Sequence, residues 1–152
     1  VEAADYFLRQ GTDADALAAE LRTEAERQRY VATFYTSRFW AHPGAFTAEE
    51  VAWHAEPFGR AESLRASFRP YESTFAEEAR SEAPLLAVNP DVRCVVLFGT
   101  SDHVLYPDFD RMAAVVFPDH VGPFLLRDCG HFVPWEAPHA LASAIAAFCG
   151  GR

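Results

Sequence analysis

The sequence contains no lysine, so all of its basic side chains are arginines. These 13 basic residues are outnumbered by 22 acidic ones, which gives a formal net charge of −9 at pH 7. Because nucleic acid is itself negatively charged, a protein that binds along a phosphate backbone would begin with repulsion. The charge balance therefore argues against a nucleic-acid partner.

Cysteine is scarce, with only 3 residues in the chain: Cys94, Cys129 and Cys149. An odd and sparse set does not suit a disulfide-stabilised scaffold and is typical of reduced thiols in a cytoplasm, which is the expected location. The sequence has no C-x-x-C or H-x-x-x-H pattern. We therefore expect no metal site.

Long hydrophobic runs are also missing, since no stretch approaches the ~20 apolar residues of a membrane-spanning helix. The first residues, 1–5, have neither the basic region nor the apolar region of a signal peptide. We expect no membrane partner. The chain does not begin with Met, and we expect it to be a fragment of a longer polypeptide.

The residues that are present suit a globular protein. Of the 152 residues, 50% are hydrophobic and 23% are charged, which excludes an intrinsically disordered chain. The sequence changes character near residue 84, and its first part is rich in Ala, Glu and Arg. Helical spacing there predicts a helix over about 13–39, a second from a capping box at Thr47 to about 59, and a third from Ala61 that bends at Pro70.

The second part alternates short apolar runs with helical patterns. The unbroken run Cys94–Phe98 predicts a buried strand, and Phe124–Leu126 predicts another. Pro107 and Pro138 are each placed to open a helix. This order predicts an α/β fold with a parallel sheet. Because two strands do not form a stable sheet alone, we expect the other strands to lie upstream in a longer chain.

Two polar side chains follow these strands closely. Asp102 comes just after the first strand, and His131 comes after the second. The carboxyl ends of parallel strands meet at one edge of a sheet, where ligands bind in open α/β folds. A carboxylate there can hold an imidazole in one tautomer, which is the acid–base half of a nucleophile–His–acid triad.

Here the sequence resembles a known family. "VLFGTSDHVLYPDF" followed by "DCGHFVPWEAPHALASAIAAF" is similar to the C-terminal part of an α/β-hydrolase, and Glu136 and Pro138 match that pattern. "RYVATFYTSRFWAHPGAFTAEEV" and "GRAESLRASFRPYESTF" are similar to the cap of epoxide-hydrolase-like and haloacetate-dehalogenase-like members. The resemblance implies a helical cap over 1–83 and the C-terminal part of the core over 84–152.

The chain lacks the family's nucleophile elbow, G-x-S-x-G, and its HGGG-type oxyanion motif. The resemblance therefore implies that the nucleophile lies outside this chain, and that the partner is the N-terminal half of the same hydrolase, on the same or a separate chain. An Asp nucleophile would indicate an epoxide hydrolase or dehalogenase, and a Ser an esterase. In both cases Asp102 would orient His131, and no cofactor would be needed.

The resemblance also implies how a small apolar substrate is held. Tyr71 is the best match to a cap tyrosine that donates a proton to an epoxide oxygen, although the family often has Tyr-Arg where this chain has Tyr71-Glu72. Tyr35 is the second candidate, and Tyr30 competes with it for the same place. The expected substrate-binding residues are Tyr35, Trp40, Trp53 and Phe132.

Epoxide hydrolysis is the leading interpretation of these residues. A serine esterase of the same fold and a non-catalytic ligand-binding protein of the same fold are the alternatives. A helical interaction module with an incidental α/β tail is a more distant one. A homodimer is also compatible with the sequence.

Overall fold

The computed structural model describes residues 5–76, 88–104 and 109–150. These divide into two compact units. The first unit contains residues 5–37 and 47–76, and the second contains 38–46 together with the described residues from 88 onward. The sequence places residues 38–46 in the helical segment, whereas in the structure this short segment packs within the second unit.

The elements of the first unit, within its described residues, are all helices. Its helices are α1 (Tyr6–Thr12), α2 (Ala14–Glu20), α3 (Glu24–Thr36), α4 (Ala48–Ala55), a 3₁₀ turn (Glu56–Gly59), α5 (Ala61–Ser67) and α6 (Arg69–Phe75). Its core is formed by seven buried residues: Ala14, Leu17, Tyr30, Val31, Ala55, Leu64 and Phe68. The buried Gln10 side chain donates a hydrogen bond of 2.7 Å to the Tyr30 hydroxyl, which satisfies both groups inside this core.

The prediction of one helix over 13–39 is wrong, because the chain breaks between α2 and α3. Thr23 has an extended backbone and caps α3: its hydroxyl accepts a 3.2 Å hydrogen bond from the Glu26 amide. The Glu26 carboxylate in turn accepts a 2.8 Å bond from the Thr23 amide. This capping box starts a new helix, and the apolar spacing across the break hides it.

The predicted second helix of this unit is confirmed, with its last turn in the 3₁₀ form, and the predicted third helix is divided into two. Thr47 and Glu50 form the predicted capping box at the start of α4. The predicted bend near Pro70 is a break at Phe68, which separates α5 from α6. Pro70 lies in the first turn of α6, where a residue without an N–H is tolerated.

The second unit contains β1 (Cys94–Gly99), α7 (Phe109–Val116), β2 (His120–Leu126), α8 (Val133–Glu136) and α9 (Pro138–Cys149). Within the described residues β1 and β2 form a two-stranded parallel sheet, which confirms the predicted strands and their direction. Pro138 opens α9 as predicted, whereas α8 was not predicted. Pro107 lies outside the described residues.

The second strand is longer than predicted, since it begins at His120 rather than Phe124. Gly122-Pro123 has the composition of a turn but lies inside the strand, where the pairing register shifts opposite Val95 and Leu97. Gly122 has a φ of +107°, and a Cβ there would lie 2.6 Å from the Val96 carbonyl oxygen. Only glycine fits this bulge.

In the described part of the chain, none of the helices has the length and apolar character needed to cross a bilayer.

Candidate active site

The two strands of the second unit deliver an acid–histidine pair to one edge of the sheet. β1 ends at Gly99, three residues before Asp102, and β2 ends at Leu126, five residues before His131. In the structure Nδ1 of His131 lies 3.0 Å from Oδ2 of Asp102. The predicted pair is therefore brought into direct hydrogen-bond contact.

Asp102 is held in place on both of its oxygens. Its side chain is only 4% exposed, and its Oδ1 accepts a 2.8 Å hydrogen bond from the Val104 amide. Because an ionised carboxylate can only accept, the contact with His131 requires the proton on Nδ1. In the neutral imidazole Nε2 is then free to accept a proton, and the His131 side chain is 31% exposed.

Residues 38–46 form one wall around His131. The His131 amide donates a 2.7 Å hydrogen bond to the Trp40 carbonyl oxygen. A Cβ on Gly130 would collide with that same oxygen and would lie 2.9 Å from Cα of Ala41. The contact is between two backbones, so a residue without a side chain is required beside His131.

The Glu136 carboxylate holds residues 130–132, the loop that carries His131, through hydrogen bonds to backbone amides. Its Oε2 accepts hydrogen bonds from the amides of Gly130 (2.8 Å) and His42 (2.9 Å), and its Oε1 accepts one from the amide of Phe132 (2.9 Å). The sequence pattern includes Glu136 but gives no sign of these contacts.

Aromatic rings surround the imidazole. The buried Trp40 ring lies edge-on to His131, with centroids 5.2 Å apart, and stacks on Phe132 at 6.4 Å. Phe132 also meets Phe46 edge-on, with centroids 5.6 Å apart. Trp40 and Phe132, both expected to bind substrate, thus lie next to the acid–histidine pair, and Trp40 is part of the packing that supports it.

Comparison with known proteins shows which solved structures share the fold of this chain. No protein-family model and no curated protein matches the sequence. The solved structures that are similar to this chain include two epoxide hydrolases. Epoxide hydrolase CorEH without ligand has a TM-score of 0.78 at 19% identity, and the match covers 97% of this chain. Juvenile hormone epoxide hydrolase from the silkworm Bombyx mori has a TM-score of 0.75 at 19% identity, and the match covers 98% of this chain.

The chain has the fold of an α/β-hydrolase. It spans 50% of the first of these two chains and 40% of the second. The assignment of the helical cap and of the C-terminal part of the core to particular residues of this chain stays a prediction. At this level of identity the comparison concerns the fold alone, and the chemistry depends on the residues around His131.

The other predicted site residues lie in the first unit. Tyr71 is half-buried and packs edge-on against Tyr6 and Phe7, at centroid distances of 5.7 and 5.8 Å. Tyr35 stacks on the His54 ring at 4.6 Å, whereas Trp53 is 66% exposed.

The ionisation of the tyrosines follows from their burial. Burial raises the pKa of Tyr71 and of Tyr35 above the usual value, so both phenols keep their protons at neutral pH. The Glu72 side chain, next to Tyr71, accepts two hydrogen bonds of 2.7 Å from Arg65, which lower the pKa of that carboxyl.

Two further groups lie on the segments that carry or contact the acid–histidine pair. Nδ1 of His42 lies 3.1 Å from the Ser101 hydroxyl. Cys129 is 1% exposed, and burial raises the pKa of its thiol to about 11. A thiol that stays protonated is a poor nucleophile, so Cys129 is a packing residue. Within the described residues, no group of three or more His, Cys, Asp and Glu side chains has the arrangement of a metal site.

Proposed function

We propose that this chain supplies the cap and the acid–histidine pair of an epoxide hydrolase that acts on a small apolar substrate. The observation that carries the proposal is the 3.0 Å contact between Asp102 and His131 at the carboxyl edge of parallel strands. The fold supports the same reaction class, because the two similar structures named above are epoxide hydrolases.

The proposed reaction has two steps. A carboxylate nucleophile outside these 152 residues attacks an epoxide carbon, the C–O bond breaks, and the ring oxygen takes a proton. The nucleophile is then joined to the substrate as an ester. Nε2 of His131 removes a proton from water, the hydroxide attacks the ester carbonyl, and Asp102 stabilises the imidazolium. The ester C–O bond then breaks, and the released alkoxide takes the imidazolium proton and leaves as the diol. The proton of the newly formed carboxylic acid passes to the group that protonated the ring oxygen, which restores the nucleophile as a carboxylate.

Tyr71 and Tyr35 are the proposed proton donors for the ring oxygen. Their half-buried positions and raised pKa values support this role, because the phenols remain protonated until the ring opens. Trp40, Trp53 and Phe132 are proposed to bind the apolar part of the substrate.

The proposed partner is the N-terminal half of the hydrolase, on the same or a separate chain. Apolar side chains of the second unit support it, since Phe124 and Leu125 on β2 are 49% and 59% exposed, and Met112 and Val115 on α7 are 52% and 60% exposed. Apolar grooves of about 460 Å³ and 520 Å³ lie beside the strands, the first lined by both strands and α9 and the second by β1 and α7. Further strands of the same fold would cover such surfaces. A second copy of the chain is the other candidate partner.

A cytoplasmic location is part of the proposal. The cysteines Cys94, Cys129 and Cys149 are all free thiols, which a reducing compartment would maintain.

The test is a single turnover of an apolar epoxide by the full polypeptide, including the segment with the nucleophile, compared with its His131→Gln variant. If the nucleophile is Asp, the variant still forms the ester but does not hydrolyse it. Intact mass then rises by the mass of the epoxide and stays raised. The matched control is His139→Gln, an exposed histidine on α9, which should turn over like the wild type.

Other outcomes separate the alternatives. A serine esterase would use His131 to activate its nucleophile, so the variant would form no covalent adduct with an ester substrate. A ligand-binding protein would bind the epoxide without any turnover in the wild type. Wild-type turnover that survives in His131→Gln would refute the role of His131.

A further inference from the structure

We propose that Glu136 is a positioning residue that holds the imidazole of His131 in its working geometry. The inference rests on the proposed function for its catalytic consequence, but its structural part concerns three backbone amides and can be measured without any turnover.

Two of the three amides that Glu136 binds flank His131 in the chain. Gly130 and Phe132 are its chain neighbours, and both donate to the Glu136 carboxylate, at 2.8 and 2.9 Å. His131 itself donates to the Trp40 carbonyl oxygen at 2.7 Å. Three consecutive amides are thus fixed, so the backbone that carries the imidazole cannot rotate without breaking one of these bonds.

Glu136 also holds residues 38–46, the segment that packs against the His131 loop. Its Oε2 accepts a 2.9 Å hydrogen bond from the amide of His42, which is 94 residues away in the sequence. His42 lies two residues after Trp40, whose carbonyl oxygen receives the His131 amide. One carboxylate therefore joins the His131 loop to the segment against which that loop packs.

An ordinary helix cap does not account for these contacts. Glu136 is the last residue of α8, and Phe132 is the N-cap of that helix, so the bond to the Phe132 amide alone is a local capping contact. The bonds to Gly130 and His42 lie outside α8 and do nothing for the helix. They are explained by a need to hold the loop.

The chemistry of the group matters as well as its shape. A carboxylate has two acceptor oxygens and no donor, so it can receive all three amides. A glutamine of the same size has one oxygen, and its NH₂ group would face at least one amide N–H. Glu136→Gln is therefore the sharpest variant, because it preserves volume and removes at least one bond.

The experiment compares the full polypeptide with Glu136→Gln and with the control Glu50→Gln. Glu50 accepts a 2.7 Å hydrogen bond from the Thr47 amide in the capping box of α4, so the control removes a similar carboxylate–amide contact elsewhere. The measurements are hydrogen exchange at the amides of Gly130, Phe132 and His42, the NMR signal of the His131 Nδ1 proton, and kcat and KM for epoxide hydrolysis.

In Glu136→Gln we expect the exchange rate to rise at least tenfold at one or more of the three amides, and the Nδ1 proton signal to broaden. We also expect kcat to fall roughly 10- to 100-fold with KM nearly unchanged, as for a small misplacement of a catalytic group. Glu50→Gln should change none of these. Unchanged exchange and an unchanged Nδ1 signal in Glu136→Gln would overturn the proposal, as would an equal fall of kcat in both variants.

The two proposals fail in different ways. If the wild type does not hydrolyse epoxides but Glu136→Gln loosens the loop and broadens the Nδ1 signal, the proposed function fails and the positioning role remains. If the wild type hydrolyses epoxides and Glu136→Gln matches it in rate and exchange, the positioning role fails alone.

Discussion

Replacing Asp102 with Asn exchanges one side-chain oxygen for an NH₂ group and tests whether Asp102 keeps the proton of His131 on Nδ1. In the wild type Oδ1 accepts from the Val104 amide at 2.8 Å, and Oδ2 accepts from His131 at 3.0 Å. Asn has one oxygen, which must face the Val104 amide because that N–H is a fixed donor. Its NH₂ group then faces Nδ1, which has to accept, and the imidazole proton moves to Nε2.

The expected loss of activity follows from this change of tautomer. An Nε2 that already carries a proton cannot take one from water, so the general base is lost. A wrong tautomer in a triad lowers kcat by about 10⁴-fold, or about 5.4 kcal/mol in the activation free energy. The fold should survive, since the two side chains are nearly equal in volume and one hydrogen bond to each neighbour remains.

The assay pairs steady-state hydrolysis of an apolar epoxide with ¹⁵N NMR of His131 at a pH where the imidazole is neutral. The matched control is Asp128→Asn, which makes the same replacement beside a different histidine. The Asp128 side chain is 84% exposed, and its Oδ1 lies 4.0 Å from Nε2 of His42. Asp128 has a φ of +55°, which Asn also tolerates. If Asp102→Asn stays within tenfold of the wild-type kcat, or keeps its proton on Nδ1, the reasoning is refuted.

Three further residues, Tyr30, Gly130 and Cys129, have expected outcomes of their own. Tyr30→Phe leaves the buried amide of Gln10 without its acceptor and should lower the free energy of unfolding by about 1–3 kcal/mol in urea denaturation; no loss would mean that this amide finds another partner. Gly130→Ala should lower the free energy of unfolding by about 1–3 kcal/mol or more, because the new methyl group would meet the backbone of Trp40 and Ala41. A variant of wild-type stability would contradict that packing. Burial raises the pKa of the Cys129 thiol to about 11, so at pH 8 a thiol reagent should label the exposed Cys149 and leave Cys129 unmodified. Since that pKa is above the unfolded value of about 8.5, stability should fall as pH rises from about 8.5 through about 11, and a flat stability curve would count against burial of the thiol.

The sequence predicts the acid–histidine pair because the relevant signals are local. The run Cys94–Phe98 contains no polar residue to interrupt it, and a parallel direction follows from the helix between the strands. Because the two strands are parallel, Asp102 and His131, which follow them, lie at the same carboxyl edge of the sheet. Their 3.0 Å contact is thus a consequence of two short patterns and one topological rule.

Other features escape prediction because their contacts are distant or ambiguous. The break before α3 depends on Thr23 and Glu26, but apolar residues on both sides continue a helical spacing. The second strand begins early because Gly122-Pro123 forms a bulge rather than a turn. The bond between Glu136 and His42 joins positions 94 residues apart, and no local pattern announces such a pair.

The way the His131 loop is held explains why its support, unlike the acid–histidine pair itself, leaves so faint a trace in the sequence. The loop is fixed through backbone groups: the carbonyl oxygen of Trp40 and the amides of Gly130, His42 and Phe132. A backbone group is present whatever the side chain, so most of these positions can change without moving the imidazole. Only Glu136, which provides a carboxylate, and Gly130, which must lack a Cβ, are specified by the contacts themselves. A fold can therefore keep this geometry while its sequence diverges widely, and the residues that should resist change are the few whose side chains make or permit the contacts.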